Sequence, residues 1–222
     1  AISKAVTLLK NAQLDFLSPY PKQLALSWSE KLIQPLLQWS WMSTVILRVA
    51  EKSSLASTVV ANGQFFVVRK AALDQVSGYD SVRNKVLDDV ELARSLVKNG
   101  SYGCVANGAA IASTRMYSSW TEIKAGYGKS LHAAFGSVLG SAIAITFVFL
   151  TGIAPLIAGI TGSSIGWYAF AAVTLTRAMS AIKVGRSGLD AFLHPISSAL
   201  LIYLIIYSWM MRGQVQWKGR TL

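Results

Sequence analysis

Residues 137–160 form an uninterrupted run without a single charged side chain. As an α-helix rising about 1.5 Å per residue, this run is long enough to cross the roughly 30 Å hydrocarbon core of a bilayer. Two further apolar segments, about 165–182 and 191–211, predict two more spans, although the middle one contains Arg177. The sequence therefore predicts an all-α transmembrane bundle over residues 136–211.

The chain is basic overall, and its acidic residues are concentrated in the first half. The 222 residues contain 21 Lys and Arg against 10 Asp and Glu, which gives a net charge of +11. Asp190 is the only acidic residue after position 122, so we expect a water-facing region over 1–135, then the bundle and a basic tail over 212–222. Strand and helix patterns alternate in the first region, which predicts an α/β fold. The basic residues are scattered rather than condensed into a stripe, which favours a membrane over nucleic acid as partner.

The segment 24–50 is rich in Trp and Lys and contains Pro35. Trp and Lys together are typical of an interfacial helix that lies against lipid headgroups. A helix that packs on its own domain explains the same pattern equally well. Both alternatives stay open at the level of sequence.

Asp88 and Asp89 are the only adjacent acidic pair, and they stand at the predicted start of a helix over Val86–Lys98. With Glu91 three residues on, Asp88 fits a capping box, which is a structural role. Asp89 is not needed for that role and is a candidate general base that accepts a proton from a bound hydroxyl.

Three shorter motifs each have a ligand-binding and a structural explanation. The first interrupts an apolar strand pattern and indicates either a bulge or a close approach to a ligand. The second and third combine cations with aromatic rings, which suit a phosphate, a sugar or the membrane interface. A metal site is not indicated, because His132, His194 and Cys104 stand isolated. The three motifs are Asn62-Gly63-Gln64, then Arg115 with Tyr117 and Trp120, then Trp217 with Lys218 and Arg220.

The order of these motifs is more specific than any one of them. Ala61-Asn-Gly-Gln-Phe-Phe-Val-Val-Arg-Lys is followed by Ser77-Gly-Tyr-Asp, Leu87-Asp-Asp-Val-Glu, Arg115-Met-Tyr-Ser-Ser-Trp, the apolar segments and Trp217-Lys-Gly-Arg. This order resembles the membrane-anchored family 2 glycosyltransferases, which are inverting enzymes of the A type, and especially the hopanoid-associated and carotenoid-type branch.

The resemblance implies transfer of a sugar from a nucleotide-sugar donor to a lipid-like acceptor, with Asp89 as the base beside Asp88. It implies that Asn62, Gly63 and Gln64 line the cleft. Arg115, Tyr117 and Trp120 would then lie over the diphosphate or the acceptor. Met116 and Ser119 replace the basic or amide residues of processive relatives, which argues against processive polymerisation.

The resemblance also implies a divalent cation, Mg or Mn, held by an Asp-x-Asp motif that occurs nowhere in these 222 residues. The chain therefore resembles the C-terminal part of such an enzyme. By itself it is expected neither to bind donor nor to turn over.

The implied location is the inner or plasma membrane, with several crossings and the catalytic part in the cytoplasm. The basic residues leave the side of the C-terminus open, because three crossings would place Arg212 outside, against the positive-inside tendency. Two other functions remain as alternatives. One is a non-catalytic transporter or flippase component with Arg177 as its functional residue. The other is a basic peripheral scaffold on anionic lipid.

Overall fold

A computed structural model of the chain describes residues 1–44, 56, 59–212, 216, 217, 220 and 221. The chain divides into two compact units. The α/β unit comprises residues 1–24 and 42–114, and the helical unit comprises residues 25–41 and 115–222. The segments 25–41 and 115–135 thus belong with the apolar helices, so the division does not follow the predicted border near residue 135.

Helices and short strands follow one another along the described residues. In chain order they are α1 (Ile2–Asn11), β1 (Phe16–Tyr20), β2 (Lys22–Gln23), α2 (Trp28–Thr44), β3 (Val67–Val68), α3 (Lys70–Gln75), a 3₁₀ helix (Gly78–Val82), α4 (Asp88–Lys98), β4 (Gly103–Asn107), β5 (Ser113–Thr114), α5 (Trp120–Phe135), α6 (Val138–Gly152), α7 (Ala154–Ile160), α8 (Ser164–Lys183), a 3₁₀ helix (Leu189–Leu193), α9 (His194–Met210), β6 (Gln216–Trp217) and β7 (Arg220–Thr221).

The α/β unit is built on a three-stranded sheet in the order β3-β1-β4. The central strand β1 runs antiparallel to β3 and parallel to β4. Successive strand residues face opposite sides, so Phe16 packs in one core with α3 and α4, whereas Leu17 packs in another with α1. The structure is 65% helical, and the largest sheet among the described residues has three strands, so it is only weakly consistent with the expected α/β fold followed by helices.

The helical unit has a single apolar core cluster. Its members come from four helices, and those of α2 recur every three residues, as one helix face requires. They are Ile33, Leu36 and Trp39 of α2, Ile123 and Leu131 of α5, Val148 of α6, and Leu201, Leu204 and Ile205 of α9.

Two stretches of the described residues are helical, long and apolar enough to cross a membrane. They are Val138–Ile160, with a mean hydropathy of 2.3, and Leu189–Met210, with 1.8. Two such stretches give weak support for membrane association, because core helices of water-soluble proteins meet the same criteria. The predicted middle span is the helix α8, which contains Arg177 and is not one of the two.

The predicted interfacial segment 24–50 is helical over Trp28–Thr44, and residues 45–50 lie outside the described part. Ile33, Leu36 and Trp39 are buried in the helical core, and the Trp39 indole donates a hydrogen bond to the Thr176 hydroxyl at 3.0 Å. These contacts favour packing on protein over lying on headgroups for this face of the helix, because these three apolar residues are already covered, whereas Trp28 is exposed.

Helices α7 and α8 approach each other through small residues. A methyl group at Gly166 would overlap the backbone of Ala158 and Gly159. We expect Gly166→Ala to lower the free energy of unfolding by about 2 kcal/mol, because overpacking typically costs 1–3 kcal/mol and here backbone must move, although Ala favours the helix by about 1 kcal/mol. Thermal unfolding in detergent, followed by circular dichroism, measures the effect.

The control for this prediction is Ala171→Ser, which changes an exposed residue of the same helix. We expect it to stay within about 0.5 kcal/mol of the unchanged protein. A Gly166→Ala variant as stable as this control would contradict the tight crossing.

Candidate active site

Asp89 lies in the first turn of α4 and is half-buried. Its Oδ2 atom accepts a hydrogen bond from the backbone N–H of Gly63 at 2.6 Å, and its Oδ1 atom accepts one from the N–H of Val90 at 2.8 Å. A carboxylate offers about four lone-pair positions, so these two bonds fix its orientation and leave acceptor capacity for a ligand. Asp89 is thus a positioned and accessible carboxylate.

The motif Asn62-Gly63-Gln64 forms a turn before β3 instead of the predicted bulge within a strand. The strand is shorter than expected because the polar motif bonds to itself and to other side chains. The amide oxygen of Asn62 accepts from the backbone N–H of Gln64 at 2.9 Å. This local bond is typical of an Asx turn, which competes with strand pairing.

Gly63 lies in close contact with the Asp89 side chain. A Cβ atom at this position would lie 3.1 Å from both Cβ and Oδ2 of Asp89. Such a separation is tighter than most real Cβ contacts, so a larger residue would push against the carboxylate. The structure therefore brings two predicted site motifs together across 26 residues of sequence.

Two buried residues of the neighbouring strands form hydrogen bonds to the Asn62-Gly63-Gln64 turn. The Ser18 hydroxyl is fully buried, accepts from the backbone N–H of Asn62 at 2.8 Å and donates to its carbonyl at 3.2 Å. The Gln23 amide donates to the Gln64 side-chain oxygen at 2.6 Å. Because β1 and β2 supply these bonds, the sheet sets the position of the turn that contacts Asp89.

The predicted capping role of Asp88 is wrong. Leu87 occupies the capping position of α4, and its carbonyl accepts the backbone N–H of Glu91 at 3.0 Å. The Asp88 carboxylate is exposed and accepts from the N–H of Asp89 at 3.0 Å. The helix begins one residue earlier than a capping box centred on Asp88 would require, so both acids lie inside its first turn, where negative charge is favourable.

Tyr79, in the 3₁₀ helix, adds a hydroxyl to this region. Burial, together with the negative charges of Asp88 and Asp89, raises the pKa of the Tyr79 hydroxyl. It therefore stays protonated near neutral pH and can donate a hydrogen bond. Sequence reasoning placed Tyr79 only in a turn motif, because nothing in the spacing predicts which side chains face the acidic pair.

Among the described residues, no group of three or more His, Cys, Asp or Glu side chains could hold a metal ion. At the acidic pair, both oxygens of Asp89 already accept backbone N–H groups. These two residues alone supply too few ligands for a divalent cation. The expected Mg or Mn stays a prediction.

In the helical unit, Arg115 pairs with Glu30, a residue that sequence reasoning missed. Nε and Nη2 of Arg115 donate to the two carboxylate oxygens of Glu30 at 2.9 and 3.1 Å. The Glu30 side chain is fully buried, and Arg115 is 38% exposed. The hydrogen bond from Arg115 lowers the pKa of Glu30 to about 2, although burial opposes this shift.

Glu30 also caps α2. Its Oε2 atom accepts from the backbone N–H of Ser27 at 2.6 Å, and the Ser27 hydroxyl accepts from the N–H of Glu30 at 3.4 Å. This reciprocal pattern is the capping box Ser-x-x-Glu, and the sequence displays it before an apolar run. A related arrangement occurs at the start of α5, where the Ser119 hydroxyl accepts from the Glu122 N–H at 3.3 Å and the Glu122 carboxylate accepts from the N–H of Ser118 at 2.7 Å.

Tyr117 and Trp120 have aromatic neighbours in the helical unit. Trp120 stacks against Trp28 and Tyr203, in each case with ring centroids 6.2 Å apart. Tyr117 meets Tyr127 edge to face at 5.3 Å, and burial raises the pKa of the Tyr117 hydroxyl to about 12. These contacts fix both rings, and the roles of Arg115, Tyr117 and Trp120 toward a ligand stay predictions.

The predicted tail site falls mostly outside the described part of the chain. Lys218 lies outside the described residues, and of Trp217 and Arg220 only the backbone, in β6 and β7, is described. Their predicted roles therefore stay predictions.

The described arrangement in the α/β unit can accept a proton at Asp89 and bind polar groups through the neighbouring turn and Tyr79. No protein-family model, curated protein or solved structure matches the chain.

Proposed function

We propose that the chain is part of an inverting glycosyltransferase that moves a sugar from a nucleotide-sugar donor to a lipid-like acceptor at a membrane. The observation that carries the proposal is the contact between Asp89 and the Asn62-Gly63-Gln64 turn. It joins the two motifs for which the sequence resemblance implies a base and a cleft wall. The carboxylate is oriented by two backbone N–H groups and remains partly exposed.

In the proposed reaction, a carboxylate oxygen of Asp89 removes the proton from an acceptor hydroxyl. The hydroxyl oxygen forms a bond to the anomeric carbon of the donor sugar while the bond from that carbon to the diphosphate breaks. The nucleoside diphosphate leaves with the electron pair. Attack from the side opposite the leaving group inverts the anomeric configuration, and Asp89 ends protonated.

The helical unit supports a lipid-like acceptor. Large apolar side chains on the stretch Val138–Ile160 are exposed, among them Leu139 at 71% and Ile143 at 62%. Only 22% of that stretch is buried within the protein. An apolar surface of this extent is unfavourable in water, and contact with lipid removes that cost. A transferase anchored in this way meets acceptors that are themselves embedded in the bilayer.

A transfer assay tests the proposal. Membranes that contain the full-length protein are incubated with a panel of radiolabelled nucleoside-diphosphate sugars and a lipid extract. We expect label to enter the organic phase and the product to carry the inverted anomeric configuration by NMR. Absence of labelled lipid with every donor, or a retained configuration, would overturn the proposal.

The non-catalytic transporter or flippase component is the second candidate, because Arg177 is a buried cation within the helical unit. Buried ionisable residues in membrane segments commonly belong to substrate pathways. The assay separates the two candidates, since a transporter moves its substrate without forming a glycosidic bond.

A further inference from the structure

Four polar residues meet in the interior of the helical unit. The polar cluster comprises Arg177 of α8 and His194, Ser197 and Ser198 of α9, and none of the four is more than 1% exposed. The Arg177 guanidinium donates to the Ser197 hydroxyl at 3.0 Å and to the Leu32 carbonyl at 3.4 Å. Its third contact is with Nδ1 of His194, at 3.2 Å.

The contact with His194 fixes the position of the ring proton. A guanidinium N–H can only donate, so Nδ1 must be the acceptor and the proton lies on Nε2. Nε2 of His194, Nε of Arg177 and the Ser198 hydroxyl have no hydrogen-bond partner among the described residues. The first two can only donate, and the hydroxyl can donate as well. The polar cluster therefore holds an excess of donors.

The polar cluster also carries an unbalanced charge. Within the described ranges, no carboxylate lies within 4.0 Å of Arg177. Asp190, the one acidic residue after position 122, pairs with Arg186 at 3.4 Å and acts on Arg177 only from a longer distance, so one carboxylate serves two arginines. A buried charge without a counter-charge in contact is unfavourable, and an arginine does not lose its proton to relieve the cost.

The polar cluster lies beside the first candidate span. A Cβ atom at Gly152 would overlap the Ser198 hydroxyl and lie 3.4 Å from Nε2 of His194. Both unpartnered donors of α9 therefore face the same point on the stretch Val138–Ile160. Burying an ionisable side chain within a bundle of apolar helices costs free energy, and such residues commonly mark a binding site or a substrate pathway.

We propose that the polar cluster binds a small inorganic anion in the interior of the helical unit. The anion supplies the contacting counter-charge that Arg177 lacks and accepts hydrogen bonds from the unpartnered donors. Chloride and inorganic phosphate share this chemistry. The proposal is independent of the transferase assignment, because the polar cluster belongs to the helical unit and Asp89 to the α/β unit.

Thermal unfolding of the purified chain in detergent tests the proposal. Sodium gluconate, whose anion is too large for the polar cluster, is replaced stepwise by sodium chloride, or by sodium phosphate in a second series, at constant ionic strength. We expect the melting temperature to rise by about 5 °C at a hundredfold excess over the dissociation constant in at least one series. No rise in either series would overturn the proposal.

Arg177→Gln removes the charge and is expected to reduce the anion-dependent rise to less than about 1 °C. Lys183→Gln is the matched control, because Lys183 is an exposed cation at the end of the same helix, and it should keep the full rise. An equal response in the unchanged protein and Arg177→Gln would contradict the assignment.

Direct binding keeps the proposal testable if Arg177→Gln does not fold. Equilibrium dialysis of the unchanged protein against radioactive chloride, and separately against radioactive phosphate, should show saturable binding of about one anion per chain. Ser198→Ala removes a single hydroxyl and should weaken that binding about tenfold, which is the loss of one hydrogen bond to a charged group. No saturable binding of either anion would overturn the proposal.

Discussion

Replacing Asp89 with Asn is expected to lower sugar transfer by the full-length protein by about 10²- to 10⁴-fold, the usual contribution of a general base. Asn is close to Asp in shape and can still accept one of the two backbone hydrogen bonds that orient the side chain. It has no carboxylate to accept the proton of the acceptor hydroxyl. The radiolabelled-sugar assay measures the loss, and membrane insertion and melting temperature should be unchanged.

The controls lie on the same helix. Glu91→Gln changes a carboxylate that pairs with Arg94 at 2.6 Å, and it should keep nearly full activity. Asp88→Asn should cost less than about tenfold, because its carboxylate is exposed and bonds only to the next residue's N–H. Turnover of Asp89→Asn within threefold of the unchanged protein would remove Asp89 from the mechanism, and an equal loss in Asp88→Asn would show the division of roles to be mistaken.

Breaking the Glu30–Arg115 pair is expected to have the largest effect on stability. Arg115→Gln leaves the fully buried Glu30 carboxylate without its cation, which should lower the free energy of unfolding by about 2–3 kcal/mol. This is below the range for fully buried pairs, because water reaches Arg115 and screens the interaction. Chemical unfolding at pH 7 measures the loss. Lys70→Gln, in an exposed pair with Asp74, should change stability by less than about 0.5 kcal/mol.

The same pair predicts a pH dependence. The pKa of Glu30 is about 2 in the folded chain and near 4.5 without its partners. The stabilisation from ionised Glu30 is therefore complete above about pH 4.5 and is lost as the pH falls toward 2. Glu30→Gln should be less stable at pH 7 and show a shallower loss between pH 4.5 and 2. Parallel pH profiles for the two proteins would contradict the assignment.

Several elements follow from local sequence. Helix α4 was predicted over Val86–Lys98 and runs over Asp88–Lys98, because Leu92 and Leu96 recur at helical spacing and both become buried. The two membrane-length stretches were predicted closely, since a long run without charge leaves little choice of structure. The capping box at Ser27 and Glu30 was equally visible in the sequence. It was missed because it lies within a segment interpreted for its Trp and Lys content.

Other features depend on residues far apart in the chain. No pattern in the sequence indicates that Glu30 pairs with Arg115, 85 residues later. Burial of Arg177 beside His194 and Ser197 likewise depends on how α8 packs against α9. Local patterns report which face of a helix is apolar, but the partner of each polar side chain is set by tertiary packing.

By itself, the sequence determined where helices form and which stretches can cross a bilayer, because hydrophobic period and the absence of charge act over neighbouring residues. It also marked Asp89 and the Asn62-Gly63-Gln64 motif as separate candidates. Only the tertiary structure decided that the Gly63 N–H bonds to the Asp89 carboxylate, and that the segments 25–41 and 115–135 join the apolar helices. These outcomes depend on the burial of side chains against distant partners, which a one-dimensional pattern does not encode.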